Sequence, residues 1–362
     1  MERFLWPGGK SVAVIFNIAF EAWSNGKAPG IGPMGNPLQR PDVLDTQAVS
    51  WARYGPKRGI WRLMDVLDRY ATQATVMTSA ILAESFPDAV REVAARGHDL
   101  CAHSYAQDIL PAYLSEDEEA EHIGRCTELL RSVSGRAPRG WMSPRGTPSP
   151  NTARLLAQAG YSWHGDCFDE DLPYVESVDS KRIVAIPFSM EVNDLPLYVR
   201  YGNSPRTMLE VFEDSLDALR RDQDRAASVD VTVHAHVFGR PSGAWVYERI
   251  LERVRDLPEV WVGTRSQIAD HVLLSSAGDL QAADARLRPQ LDPARLAAIV
   301  DSVPEEWLGD EAEFATTAHQ REAYTTYLVE RLTGPRAWLQ EAIAAQHRGP
   351  TTLQRRMTHR VV

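Results

Sequence analysis

Short apolar, β-branched runs alternate with helical patterns along about three quarters of the chain, and this alternation constrains the fold more than any other feature. Parallel strands need crossover connections, which are usually helices, so the alternation predicts a parallel sheet. About eight runs fit this description: Ser11–Phe20, Ala74–Thr78, Asp99–Ala102, Gly140–Ser143, Tyr161–His164, Ile183–Phe188, Val229–Ala235 and Val260–Val262.

The segments between these runs carry apolar residues at the helical spacing i, i+3, i+4 and i+7. Phe86–Ala95 is followed by Gly97, which is typical of a helix C-terminus. Ser115 precedes Glu118 by the spacing of a capping box, which predicts that a helix begins at Glu116. So many β/α units favour a distorted parallel (β/α) barrel. An open doubly wound sheet is the alternative, although no GxGxxG follows any strand.

Two regions fall outside the repetition. Ser24–Ser50 is rich in Gly and Pro and lacks periodicity, so it is predicted to be a long irregular loop that shapes the pocket. After Leu274 the strand patterns stop. We therefore predict a barrel over residues 1–274 and a C-terminal helical appendage over residues 275–362. Helical patterns in the appendage occur near Pro293–Val303, Thr317–Leu332 and Pro335–Gln346.

The charge balance limits the partners of the protein. The chain has 39 basic and 49 acidic residues, a net charge of −10, which argues against nucleic acids and anionic membranes as partners. No apolar run reaches the ~18 residues of a membrane span. The N-terminal residues lack the pattern of a signal peptide. Three scattered cysteines provide no disulfide framework, so a cytoplasmic protein with a small-molecule partner is predicted.

Polar side chains collect where the predicted strands end. In a (β/α) barrel, reactive groups lie at the carboxyl ends of the strands. The sequence therefore predicts an active site there rather than a set of incidental polar loops. The candidates for catalysis are Glu21, His103, Arg145, Asp166 and His234.

Each candidate also has a plainer interpretation. His103 follows an apolar run and could be a core histidine with satisfied hydrogen bonds. His234 and His236 share one face of a strand, so they could chelate a metal or one could orient the other. Arg145 could form a salt bridge with Asp166 or Asp169 instead of contacting a substrate.

Several hydrolase and nucleotide-binding motifs are absent from the sequence. We find no GxSxG elbow, no P-loop and no HExxH. Cys167 lies among acidic residues, which raise a thiol pKa and argue against a thiolate nucleophile. These features disfavour serine hydrolases, P-loop NTPases, zincins and cysteine enzymes.

Four motifs in order resemble the polysaccharide deacetylase superfamily, and within it the branch of allantoinase and cyclic imide hydrolase. They are RGWMSPR over Arg139–Arg145, the acidic segment Asp166–Tyr174, the pair Asn193-Asp194 and the segment His234–Pro241. The similarity extends over about Ser11–Leu274. The resemblance implies the distorted barrel and an amide-hydrolysing activity.

This sequence departs from the metal-dependent members of that superfamily. Those enzymes carry two aspartates in the first motif and an HxxxH pair in the second. Here Asn17 and Ala19 stand in the first motif, and Gln107 stands in place of the second histidine. Glu21 and His103 remain as zinc ligands, fewer than a zinc site needs. The resemblance therefore implies hydrolysis without a tightly bound metal, with zinc as the alternative.

We predict hydrolysis of a non-peptide C–N bond in a small amide, cyclic amide or ureide. Glu21 would be the general base, and His103 would orient the water or share that role. His234 would protonate the leaving nitrogen, Arg145 would hold a carbonyl or carboxylate, and Asp166 would orient a neighbouring group. Residues predicted to contact the substrate are Asn17, Trp23, Trp141, Asn193, Asp194 and His236.

Two other functions are compatible with the sequence. The first is a metal-dependent N-deacetylase of an acylated sugar or small metabolite. The second is an inactive barrel that binds a ligand or a partner. The resemblance implies a homo-oligomer, for which the appended helices could provide subunit contacts.

Overall fold

The computed structural model describes residues 4–29, 42–179, 181–221, 226–276, 280–308 and 314–348. The chain divides into two compact units, Met1–Leu273 and Leu274–Val362. Residues 30–41 of the segment predicted to be an irregular loop lie outside the described part. The last five residues of the same segment belong to a short helix, Thr46–Ala52, which is capped at its start by the Asp45 side chain.

The described residues contain nine strands, all in one sheet. Their bounds are β1 Val12–Phe20, β2 Thr75–Thr78, β3 Asp99–Ala102, β4 Gly140–Trp141, β5 Trp163–His164, β6 Tyr174–Val178, β7 Lys181–Ala185, β8 Ala227–His234 and β9 Val260–Val262. The strand order is β6-β7-β5-β4-β3-β2-β1-β8, and β9 pairs with β1. All pairings are parallel except β6 with β7.

The curled, mostly parallel sheet confirms the predicted (β/α) barrel fold. The antiparallel hairpin of β6 and β7 is the part that the sequence pattern did not predict. β6 follows an acidic run directly, and its side chains are mostly half-buried, so it lacks the apolar signal of the other strands. A single parallel bridge between Asn193 and Thr232 connects the segment after β7 to β8.

Helices lie between most of the strands and make up the second unit. Their bounds are α1 Thr46–Ala52, α2 Ile60–Arg69, α3 Ile81–Ser85, α4 Pro87–Ala95, α5 Glu116–Ser134, α6 Thr152–Gln158, α7 Thr207–Arg221, α8 Pro241–Arg255, α9 Arg265–Ser276, α10 Leu280–Leu287, α11 Pro293–Asp301, α12 Thr317–Thr333 and α13 Ala337–Arg348. α5 begins at Glu116 as predicted, with both hydrogen bonds of the capping box present.

β1 shows how the sheet separates two packed faces. All nine of its residues are buried. Its even-numbered residues, such as Phe16 and Ile18, pack in the cluster that contains α2 and α8. Its odd-numbered residues, such as Ile15 and Ala19, pack against Met77 and residues of the other barrel strands. Because side chains alternate along a strand, the odd-numbered face leads along the barrel interior toward the end of β1.

The described residues of the second unit form helices and the connections between them. Within it, Arg321 of α12 donates to the backbone oxygens of Val300 and Val303 at the end of α11. Arg336 pairs with Asp284 of α10. In the described part of the chain, no helix has both the length and the apolar character that crossing a membrane requires.

Candidate active site

A cavity of about 530 Å³ opens at the carboxyl ends of the barrel strands. Glu21 follows β1, His103 follows β3, Arg145 follows β4 and His234 ends β8, and all four line this cavity. The structure therefore brings together four of the five residues predicted to be catalytic. The fifth, Asp166, lies beside them behind Ser143.

Glu21 stands between two histidines. Its Oε1 atom lies 3.4 Å from Nε2 of His103 and 3.7 Å from Nε2 of His234. The carboxylate is 11% exposed, and the two imidazoles are almost completely buried. A carboxylate and two imidazole nitrogens thus meet at one point of the cavity wall.

Each imidazole is held by its other nitrogen. Nδ1 of His103 donates to the backbone oxygen of Met142 at 2.7 Å. Nδ1 of His234 lies 2.6 Å from Oδ1 of Asp194. The backbone amides of His234 and Phe238 donate to Oδ2 of Asp194. Because both Nδ1 atoms are occupied, both Nε2 atoms are the ones presented to Glu21 and the cavity.

The charges around Glu21 shift pKa values in opposite directions. Burial opposes the ionised form of Glu21, but His234, His103 and His236 outweigh it and lower the pKa from 4.5 to about 2. Burial also opposes the charged form of His234, but Asp194 and Glu21 outweigh it and raise the pKa from 6.5 to about 9. At neutral pH the site therefore holds a carboxylate beside an imidazolium.

Arg145 is the most exposed of the four cavity residues. Its backbone has φ +60°, the left-handed region that residues other than glycine rarely adopt. Such a conformation costs about 1–3 kcal/mol and occurs preferentially at functional sites. Gly146 follows, and a Cβ atom there would lie 2.4 Å from the ring of Phe168. The turn thus places Arg145 at the cavity and leaves room for Phe168.

Asp166 does not pair with Arg145, so the salt-bridge interpretation of Arg145 is wrong. Its carboxylate accepts from the backbone amide of Ser143 at 2.7 Å and from the Ser143 hydroxyl at 2.6 Å. Burial raises the pKa of Asp166. Asp166 thus orients a neighbouring residue, Ser143, and through it the turn that carries Arg145.

Two of the six predicted substrate contacts, Trp23 and Asn193, line the cavity. Asn17 does not, and the prediction for it is corrected. It is fully buried in the barrel, where its amide donates to Asp230 and Thr232 and accepts from Arg265. Asn17 lies within β1, four residues before Glu21, and is therefore too deep in the barrel to contact a substrate in the cavity.

The other three predicted contacts are also corrected. Trp141 is 0% exposed and donates from its indole to Ser143, so it belongs to the core. Asp194 is 0% exposed with both carboxylate oxygens engaged, and it therefore positions His234. His236 is 0% exposed and lies behind His234, 5.7 Å away between ring centres. Burial is the main cause that lowers the pKa of His236 to about 4.

The structure adds cavity residues that sequence reasoning missed. They are mainly apolar, together with one further cation: Met77, Met142, Phe168, Phe188, Met190, Leu195 and Arg200. Arg200 ends a π-helical segment, Leu195–Arg200. π-Helical turns are rare and occur frequently at functional sites, but their hydrogen bonds leave no clear sequence signal.

Three residues of the first two motifs are poorly suited to hold a metal. Asn17 is bonded at both ends of its amide, and Ala19 presents only a methyl group to the cavity. The amide nitrogen of Gln107 donates to Ser79 and to the backbone oxygen of His103. In the described residues, no group of three or more His, Cys, Asp or Glu side chains is arranged to hold a metal ion.

Comparison with known proteins defines the class. The family model described as polysaccharide deacetylase matches residues 54–164. The peptidoglycan deacetylase of Helicobacter pylori is 24% identical over 259 residues, which cover 62% of this chain and 87% of the relative. Two solved structures are each 26% identical, and each match covers 73% of this chain and 91% of the other. They are a probable polysaccharide deacetylase from Pseudomonas aeruginosa, with a TM-score of 0.65, and Puue allantoinase, with a TM-score of 0.66.

The fold and the relatives define a hydrolase that acts on carbon–nitrogen bonds other than peptide bonds. The match of residues 54–164 to the polysaccharide deacetylase model confirms the resemblance predicted from the motifs, and the similar solved structures include an allantoinase. This disfavours the inactive barrel as an alternative.

Proposed function

We propose that this protein hydrolyses a small amide, cyclic amide or ureide without a tightly bound metal. The observation that carries the proposal is the contact of Glu21 with Nε2 of His103 and of His234 at the cavity wall. Amide hydrolysis needs a base for the water, stabilisation of the oxyanion and a proton for the leaving nitrogen. The cavity offers a residue for each task.

In the first step, Glu21 accepts a proton from water while the water oxygen attacks the carbonyl carbon. His103 keeps its Nδ1–H on Met142, so its Nε2 is free to accept from the same water and orient it. The carbonyl oxygen becomes an oxyanion, and the guanidinium of Arg145 is the cavity group suited to stabilise it.

In the second step, the C–N bond breaks and the proton on Nε2 of His234 passes to the leaving nitrogen. Asp194 holds the other ring nitrogen, so the imidazole keeps its orientation while its charge changes. The proton taken by Glu21 then returns to His234 across 3.7 Å, directly or through water. For a cyclic amide, the new carboxylate and the new amine belong to one ring-opened product.

A metal-dependent N-deacetylase is the second candidate. The name of the Helicobacter pylori relative supports it, as does the approach of two imidazole nitrogens to one carboxylate. The neutral amide of Gln107 and the methyl group of Ala19 argue against it, because neither is a good metal ligand.

One experiment separates the two candidates. The metal content of the purified protein is measured by elemental mass spectrometry, and cyclic amides, ureides and N-acetylated sugars are screened with and without a chelator. Metal-free protein with chelator-resistant turnover of a cyclic amide or ureide is expected. One zinc per chain with turnover lost on chelation would overturn metal-independent hydrolysis and favour the deacetylase.

A further inference from the structure

The cavity carries more positive than negative charge. Among the described residues that line it, Glu21 is the only carboxylate, and its charge is met by His234. Arg145 and Arg200 line the same cavity. The whole chain has a net charge of −10, so this local excess of positive charge does not follow from composition. A cleft lined by one sign of charge concentrates ligands of the opposite sign.

Neither arginine has an acidic partner within the described residues. Several other exposed arginines of the barrel do: Arg69 pairs with Glu248, Arg91 with Asp88 and Arg131 with Glu128. Arg145 and Arg200 lack such a partner, and both line the cavity. Their donors remain available to a ligand.

The backbone supports the same interpretation. The backbone of Arg145 is in the left-handed region and Arg200 ends a π-helical segment, so both residues have rare backbone conformations. Guanidinium groups match carboxylates through paired N–H donors. The rest of the wall is largely apolar, with the rings of Phe168 and Phe188 and several methionines. Such a wall accepts a small apolar or flat body, and the two arginines offer an anion guanidinium donors that no carboxylate of the described residues occupies.

We propose that Arg200 is a carboxylate receptor and that Arg145 adds positive charge to the same cavity, so that the substrate is a small amide that carries a carboxylate group. Arg200 is then a specificity-determining residue, which selects the acid over its neutral analogue. This inference rests on the proposed hydrolysis for the reaction, but the receptor itself requires only binding.

Binding is measured first, by calorimetry with succinate, its neutral analogue succinamide and inorganic phosphate. Succinate is expected to bind and succinamide to bind at least about tenfold more weakly, since charge-assisted hydrogen bonds are lost. Arg200→Gln should weaken succinate binding about tenfold or more, and Arg200→Lys should recover part of the loss. Arg131→Gln, an exposed arginine on α5 outside the cavity, is the matched control and should change nothing.

Three binding results would overturn the proposal: equal binding of succinate and succinamide, no succinate binding, or an equal loss in Arg200→Gln and Arg131→Gln. Tighter binding of phosphate than of succinate would overturn the carboxylate assignment in favour of a phosphate ligand.

Turnover separates this inference from the hydrolase activity. N-acetylglycine and N-acetylglycinamide form a matched acidic and neutral pair. The wild type should prefer the acid, and Arg200→Gln should lose that preference through KM rather than kcat. Selective succinate binding without turnover of any amide would contradict the hydrolase and leave the receptor standing. Turnover without selectivity for the acid would contradict the receptor and leave the hydrolase standing.

Discussion

Two polar layers of the barrel interior share strands β1 and β8 and have different roles. The lower layer contains Asn17, Asp230 and Arg265, the first residue of α9. The upper layer contains Glu21, His103 and His234. On β1 and its continuation, Asn17 and Glu21 are separated by four residues. On β8, Asp230 and His234 are separated by the same number. Because side chains alternate along a strand, both layers face the barrel interior.

The lower layer is closed by its own hydrogen bonds. Arg265 is 0% exposed and donates to Asn17, Asp230 and the backbone oxygens of Ile186 and Pro187. Asp230 also accepts from Asn17 and from the amide of Ser189. Burial raises the pKa of Asp230, while Arg265 acts against that shift. This layer has no polar capacity left for a substrate.

The upper layer leaves capacity facing the cavity. Nε2 of His103 and of His234 and the carboxylate of Glu21 point at a common space, while their other polar atoms are bound. Both layers place polar residues on the interior face, so residue type and strand face do not distinguish structural residues from functional ones here. The position of a residue along its strand does distinguish them.

The largest expected effect comes from removing Glu21, the proton acceptor of the upper layer. Glu21→Gln should lower kcat/KM about 10²–10⁴-fold, because it removes the proton acceptor while keeping the side-chain volume. The protein should remain folded, which circular dichroism checks. Glu191→Gln removes an exposed carboxylate outside the cavity lining and should leave kcat/KM unchanged. Full turnover by Glu21→Gln would remove Glu21 from the mechanism.

Breaking the lower layer should instead cost stability. Arg265→Met leaves Asp230 buried without its charged partner, and about 3–5 kcal/mol of unfolding free energy should be lost. Urea unfolding measures this. Arg139→Met breaks an exposed pair with Asp270 and should cost at most about 1 kcal/mol. The double variant Asp230→Asn with Arg265→Met should recover part of the loss. A loss in Arg265→Met no larger than in Arg139→Met would contradict a structural role for the lower layer.

The barrel and the strand ends could be predicted from the sequence because alternation and apolar runs are local signals. The predicted strands at Asp99–Ala102 and Val260–Val262 match β3 and β9, and the other predicted strands differ from the observed ones by a few residues at their ends. Glu21, His103, Arg145 and His234 were found because they end strands. The depth of Asn17 could not be predicted, since it depends on how far β1 extends beyond its neighbours.

The partner of each catalytic group was also beyond the sequence. Asp194 and His234 are 40 residues apart, and only the fold places the carboxylate against the imidazole. Arg200 lies in a segment without a strand or α-helix pattern, so nothing local connected it with the cavity. Long-range electrostatic partners of this kind require the tertiary structure.

A smaller effect on activity should follow from removing the partner of His234 while keeping His234, the proton donor. Asp194→Asn removes the charge that orients and protonates His234, so kcat should fall about 10–10²-fold, with KM changed less. The alkaline limb of the pH profile should move to lower pH, because Asp194 is a principal cause of the raised His234 pKa. A loss of activity with an unshifted alkaline limb would mean that Asp194 acts only on folding.

The smallest effect is the pH dependence of the wild-type protein. The pKa of His234 is raised from 6.5 to about 9, so the protonated acid should be present at neutral pH and activity should decline as pH rises through about 9.

The same group stabilises the fold fully below pH 6.5, and that stabilisation is lost as pH rises through about 9. Glu21, whose pKa is lowered to about 2, contributes stability above pH 4.5 that is lost only as pH falls toward 2. Urea unfolding at pH 6, 8 and 10 measures the first change, which should be at most about 3 kcal/mol. In Glu21→Gln the decline of the remaining activity with rising pH should shift to lower pH, because Glu21 is the second cause, after Asp194, of the raised His234 pKa. An alkaline limb common to both proteins would assign the titration to a group other than His234.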